Sequence, residues 1–75
     1  MSPSEDTEAR RLGRELRTER TRQGLRQEDL AFAAGLSRPA IINVEQGKSG
    51  VRWETLLQVT DALGLRLEFA RRGDG

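Results

Sequence analysis

Between Arg38 and Gln46 the chain reads RPAIINVEQ, and on a helix its outward residues would be Arg38, Ala40, Asn43 and Gln46. That face mixes one basic group, two carboxamides that can both donate and accept, and one small residue. It lacks the alternating Glu and Lys of a helix that is merely solvated, and it is chemically suited to touching the edges of bases. Just beyond it, GKSG at 47–50 is a loop in which Lys48 and Ser49 are free to meet a phosphate. A second basic concentration precedes it: arginines 10, 11, 14, 17, 20, 22 and 26 stand against Glu15 and Glu19, a local excess of five positive charges in a chain whose net charge is only +1. Such an excess suits a polyanionic partner. The same features also fit a structural helical hairpin with a solvated arginine face, and both readings are open at this level.

Other chemistries are poorly supplied. The sequence has no cysteine and no histidine, so disulfides, thiolate or imidazole metal sites and the usual nucleophile or histidine-base catalysis have no residues to use. No enzymatic activity, metal or cofactor is therefore expected. No apolar run reaches the length of a signal-peptide core or a membrane span, which leads to an expectation of a cytoplasmic protein with no membrane partner.

The elements that would position these residues can be read from packing needs. In QEDLAFAAGLSRPAIINVEQ, 27–46, the residues Leu30, Ala31, Ala34, Leu36, Ile41 and Val44 fall where two short helices crossing steeply would bury them against each other. Gly35 is placed to end the first helix in the left-handed region, Ser37 to cap the second, and Pro39 to sit in a first turn whose N–H groups lack helical partners anyway. The pattern is helix, turn, helix.

Around it, Ala9, Leu12 and Leu16 line one face of a helix from about residue 7 to 23, ended by Gly24. Continuing that stripe reaches Arg20, and a buried arginine needs a carboxylate. Residues 52–63 form a further helix with Leu56, Val59, Thr60 and Leu63 inward and Gly64 after it, while Trp53 is expected to plug the edge of the core. LRLEFA at 65–70 alternates Leu65, Leu67 and Phe69 with Arg66 and Glu68, the period of a half-buried strand. At the N-terminus, SPSE at 2–5 has the form of a helix start but equally suits a frayed arm.

Seventy-five residues make one domain, which at this size buries only about 60% of its unfolded surface, so a second subunit would add stability. A lone strand needs a ladder partner, and the same segment of a second copy is the nearest one, so a homodimer closed by antiparallel Leu65, Leu67 and Phe69 is expected. The organisation is then an arm or helix extension at 1–7, one folded domain at 8–70 and a tail at 71–75.

The run RxxxGLxQxxLAxxAGLSRxxIxxxExGK from Arg20 to Lys48 resembles the xenobiotic-response-element helix-turn-helix family that includes the lambda-type phage repressors. The likeness extends over about residues 12–69, and the ending ETLLQVTDALGLRLEF looks like that of HipB-type antitoxins. The resemblance implies a mainly α, lambda-repressor-like bundle of four to five helices with one C-terminal β-strand pairing across a dimer. It implies a repressor that binds a pseudo-palindromic DNA operator and, from the HipB-like ending, one that is also the antitoxin of a HipA-like kinase toxin and represses its own operon. A free-standing phage or host repressor, or a protein-interaction module that has lost DNA binding, are the alternatives. By residue, it implies base reading by Arg38 and Asn43, with Arg suited to guanine and Asn to adenine, and thymine-methyl contacts by Pro39 and Ala40, with Ile42 either joining them or packing inside. Gln27, Gln46, Lys48, Ser49 and Arg52 correspond to phosphate contacts. It also supports Glu45 as the carboxylate that Arg20 requires. Arg26 departs from the family pattern, standing where a Ser or Thr cap is usual, and Pro39, Ala40 and Ile42 replace polar residues.

Overall fold

A computed structural model describes residues 7–71 and 73, and within them the chain forms four helices: α1 (Glu8–Arg22), α2 (Gln27–Ala34), α3 (Arg38–Glu45) and α4 (Trp53–Ala62). The SPSE reading at 2–5 lies outside the described residues. The helix starts are set by local chemistry. Thr7 Oγ1 accepts from the Arg10 amide at 3.2 Å, and Ser37 accepts from the Ala40 amide at 3.3 Å with Pro39 in the first turn of α3. Arg26 has no oxygen with which to cap α2. Asp29 supplies the missing half from inside the helix, its Oδ2 accepting from the Arg26 backbone N–H at 2.8 Å and from Arg26 Nε at 3.2 Å.

Between α2 and α3 the chain turns at Gly35, which has φ of 71°. There a side chain would be strained, and the turn is closed by the Leu36 amide donating to the Ala31 carbonyl at 2.9 Å. α1 packs on α3, α2 on α3 and α4, and α3 on α4. Leu16, Leu30, Ile41 and Val59, one from each helix, are the large side chains fully buried at the centre, with Ala31, Val44 and Leu63 around them. Every helix thus contributes its apolar stripe to one core.

The contact between α1 and the end of α3 is made backbone to backbone. A Cβ on Gly13 would lie 2.5 Å from the Glu45 carbonyl oxygen and 2.6 Å from that of Val44. One on Gly47 would lie 2.6 Å from the Arg10 Cα. Two glycines facing opposite elements therefore seat α1 directly against the last turn of α3.

One expectation needs correction, and another is not shown. Trp53 does not plug the core edge: it is 56% exposed at the start of α4, because Val59 and Leu63 from the later turns already fill the centre. No strand is present among the described residues, and 65–71 is irregular chain running back beside α1, with Leu12, Glu15 and Glu19 across a cleft from it. Among the described residues that segment has no neighbouring strand to supply ladder hydrogen bonds. Leu65 and Phe69 are exposed, at 39% and 85%, and Leu67 is half-buried.

Candidate nucleic-acid interface

The outer surface of α3 is formed by Arg38, Pro39, Asn43 and Gln46, all exposed, with Ala40 and Ile42 half-buried at its sides. The inner surface carries Ile41, Val44 and Glu45. The acidic residue of α3 is thus turned away from the face that carries Arg38, Asn43 and Gln46, leaving that face without a negative charge of its own.

Glu45 is held by a network that reaches Arg38 on the outer face of α3. Arg20 donates from Nε to Glu45 Oε2 at 2.5 Å and from Nη2 to Oε1 at 3.2 Å, while its Nη1 donates to the Leu25 carbonyl at 2.8 Å. Both residues are buried, at 7% and 8% exposure. Two parallel donors on one carboxylate, with the remaining nitrogen also satisfied, is the geometry in which a buried pair offsets its desolvation. Gln27 extends the network outward. Its Nε2 donates to Glu45 Oε1 at 3.2 Å, and its Oε1 accepts from Arg38 Nε at 3.3 Å. The four side chains link α1, α2 and both ends of α3. Gln27, matched to a phosphate contact by resemblance, here uses both ends of its carboxamide inside the protein, and the guanidinium of Arg38 is oriented before any partner arrives.

Lys48, Ser49 and Arg52 lie in the connection from α3 to α4 and are exposed. A shallow cleft of about 240 Å³ has Ala40 and Asn43 on one wall and Lys48, Ser49 and Arg52 on the other, so the structure brings part of the outer face of α3 together with that basic stretch. Gly47, with φ of 66°, redirects the chain there, and the Lys48 amide donates to the Asn43 carbonyl at 3.0 Å. Arg38, Pro39 and Gln27 stand at the other end of α3. Leu65, Leu67 and Phe69 are remote from this face, beside α1 and beyond the end of α4.

Two pieces of this site are not apparent in the residue pattern. The double engagement of Gln27 depends on where Glu45 and Arg38 come to rest. The seat of Gly13 depends on the α3 backbone, although a glycine inside an otherwise regular amphipathic helix is a usable signal of close approach.

Among the described residues no group of three or more His, Cys, Asp or Glu is placed to hold a metal ion, and no helix is long and apolar enough to cross a membrane. The arrangement offers hydrogen bonds and positive charge rather than a reactive group.

A family model described as a helix-turn-helix domain matches residues 11–71. Among solved structures, the chain is similar to the crystal structure of the restriction-modification controller protein C.AhdI from Aeromonas hydrophila. The two are 38% identical, the match covers 77% of this chain and 88% of that one, and the TM-score is 0.71. No curated protein matches the chain.

Proposed function

Because the chain belongs to the helix-turn-helix domain family, we propose that it is a sequence-specific DNA-binding transcriptional regulator that lays α3 in the major groove. The observation that carries this reading is the outer face of α3, where Arg38 and Asn43 project with no acidic neighbour on the same face. The Arg20–Glu45 pair braces that helix from within, and the exposed Lys48, Ser49 and Arg52 lie beside it. In this reading Arg38 pairs with guanine O6 and N7, Asn43 with adenine N6 and N7, and Pro39 and Ala40 meet a thymine methyl. Lys48, Ser49, Arg52 and Gln46 grip the backbone and set register, with little influence on sequence choice. No catalytic step or cofactor is part of the proposal, and the place of action is the cytoplasm.

The acting unit is a homodimer, a reading supported by the exposure of the apolar side chains Trp53, Leu57, Leu65 and Phe69 on α4 and the segment after it. Two copies related by a two-fold axis, with segments 65–70 paired antiparallel, would cover Leu65, Leu67 and Phe69 and present two α3 helices to one side of DNA.

Likeness to a restriction-modification controller supports a regulator of a restriction-modification operon. The ending at 65–70 supports a second, narrower reading, in which the regulator is also the antitoxin of a HipA-like kinase. The adjacent gene separates them: a nuclease or methyltransferase gene favours the first, a kinase gene the second.

A mobility shift with the DNA upstream of the chain's own gene tests the reading common to both. A retarded complex that survives competitor DNA, with a footprint of two half-sites about one helical turn apart, is expected. Failure to retard that DNA at low salt would contradict it.

A further inference from the structure

The connection from α3 to α4 does not pack flat against the bundle. Between it, α1 and the first turn of α4 lies an open cavity of about 260 Å³. Leu16 and Val44, both buried, form its floor. Leu12, Val51 and Leu56 line it as well, each packed against the core yet only half-buried. Trp53, the first residue of α4, stands at its edge, so the exposed indole has an apolar surface on one side. Gly13, Gly47 and Gly50 border the cavity and add no side chain to fill it.

The charge around this cavity has one sign. Lys48 and Arg52 belong to its lining, and no Asp or Glu does. Lys48 has no carboxylate partner among the described residues. Arg52 Nη1 lies 4.0 Å from Glu54 Oε1, but both side chains are about four-fifths exposed, and solvent screens most of that attraction. Both cations are therefore open to an incoming anion. Apolar walls with a few polar groups at one side suit a small amphipathic molecule. A cavity of about 150 Å³ lined by aliphatic side chains is enough to hold benzene, so this one has room for a single ring and a short acidic arm.

We propose that the cavity is a regulatory site for a small monocarboxylate built on one apolar ring, with the ring against Leu12, Val51, Trp53 and Leu56 and the carboxylate on Lys48 and Arg52. Its regulatory effect rests on the DNA-binding reading above, whereas the binding itself does not. Lys48, Ser49 and Arg52 also line the cleft that contains Asn43. A carboxylate seated in the cavity thus occupies the cations assigned to DNA phosphate, and it lowers affinity for DNA of any sequence. By reciprocity DNA weakens the carboxylate's binding by the same factor. Leu65, Leu67 and Phe69 take no part in the lining, so the cavity is separate from the pairing proposed for segments 65–70.

Trp53 is the one tryptophan of the chain, and its emission reports on the cavity without any DNA present. The full chain is titrated with sodium phenylacetate at constant ionic strength, with acetate supplying the charge alone and benzyl alcohol the ring alone. A saturable change is expected with phenylacetate, at least about tenfold tighter than with either control, because hydrogen bonds to charged groups contribute that much. Ala9 lines the cavity from α1 and is exposed, so Ala9→Phe narrows it with little disturbance to the core. That variant should lose the response while keeping the melting curve of the unaltered chain, and Ala9→Leu replaces it if it melts early. In mobility shifts on the upstream DNA, phenylacetate should weaken binding by the unaltered chain and leave Ala9→Phe unaffected. No saturable change, an equal response to either control, or a response that persists in the narrowed variant would overturn the site. Conversion of a dimer to a monomer by Ala9→Phe in sedimentation would also overturn it, assigning the cavity to a second copy of the chain. Saturable binding with no loss of DNA affinity would overturn the regulatory role. Failure of the unaltered chain to bind DNA would bring down the α3 reading, while the emission titration would still decide whether the cavity takes the carboxylate.

Discussion

At the scale of single residues, the burial of Arg20 and Glu45 has the largest consequence for stability. Replacing Glu45 by Ala leaves a guanidinium buried without its counter-charge and is expected to cost about 3–5 kcal/mol, read as a fall in melting temperature, whereas exchanging both partners for apolar groups of matched volume should cost far less. Gly13→Ala is expected to destabilise by about 1–3 kcal/mol even though Ala favours helices over Gly, because the added carbon meets backbone oxygens that cannot rotate aside. Acid sensitivity has a nameable source. Hydrogen bonds from Arg22, and then from Gln23, hold the Glu19 carboxyl at about 2 against an ordinary value of 4.5. The Asp29 carboxyl is also lowered, first by the Arg26 backbone N–H and then by its side chain. A carboxyl whose folded value lies below its unfolded value stabilises above the unfolded value, and that contribution is lost as pH falls through the folded one. For Glu19 the window runs from about 4.5 down to about 2. Melting temperatures measured across it should fall more gently for Glu19→Gln than for the unaltered chain.

At the scale of elements, the turn between α2 and α3 was legible because its causes are local. Gly35, Ser37 and Pro39 each act within a few residues of their own position, and the apolar spacing of Leu30, Ala31, Ile41 and Val44 states which faces meet. The start of α2 was harder to read, since Arg26 cannot cap and Asp29 does so from the third helical position. Asp29→Ala is accordingly expected to destabilise by about 0.5–2 kcal/mol, measured by denaturant unfolding. Trp53 was misread because one aromatic at a helix start does not reveal whether the core has room for it. Residues 65–70 have strand periodicity, but periodicity states which residues share a face and not what supplies their hydrogen bonds, and the described chain contains no adjacent strand. The outward residues of α3 were readable as a chemical set. The link through Gln27 was not, because it joins residues 11 to 18 positions apart through the folded arrangement.

At the scale of the whole molecule, a small core with exposed Trp53, Leu57, Leu65 and Phe69 supports the proposed second subunit. Leu67→Asp, or removal of residues 65–75, should give a monomer or an unfolded chain by sedimentation with much weaker DNA binding; an intact dimer after either change would move the interface to α4. The proposed dimer would in turn serve recognition by presenting two α3 helices to one side of the duplex. Whether α3 reads sequence is decided by binding isotherms for the unaltered chain, Arg38→Ala and Lys48→Ala, each on the upstream DNA and on an unrelated duplex. Arg38→Ala should lose about 1–3 kcal/mol on the upstream DNA and little on the unrelated duplex, relaxing one base position, while Lys48→Ala should weaken both alike and lower the salt slope by about one per subunit. Equal losses on the two DNAs for Arg38→Ala would contradict base reading by α3.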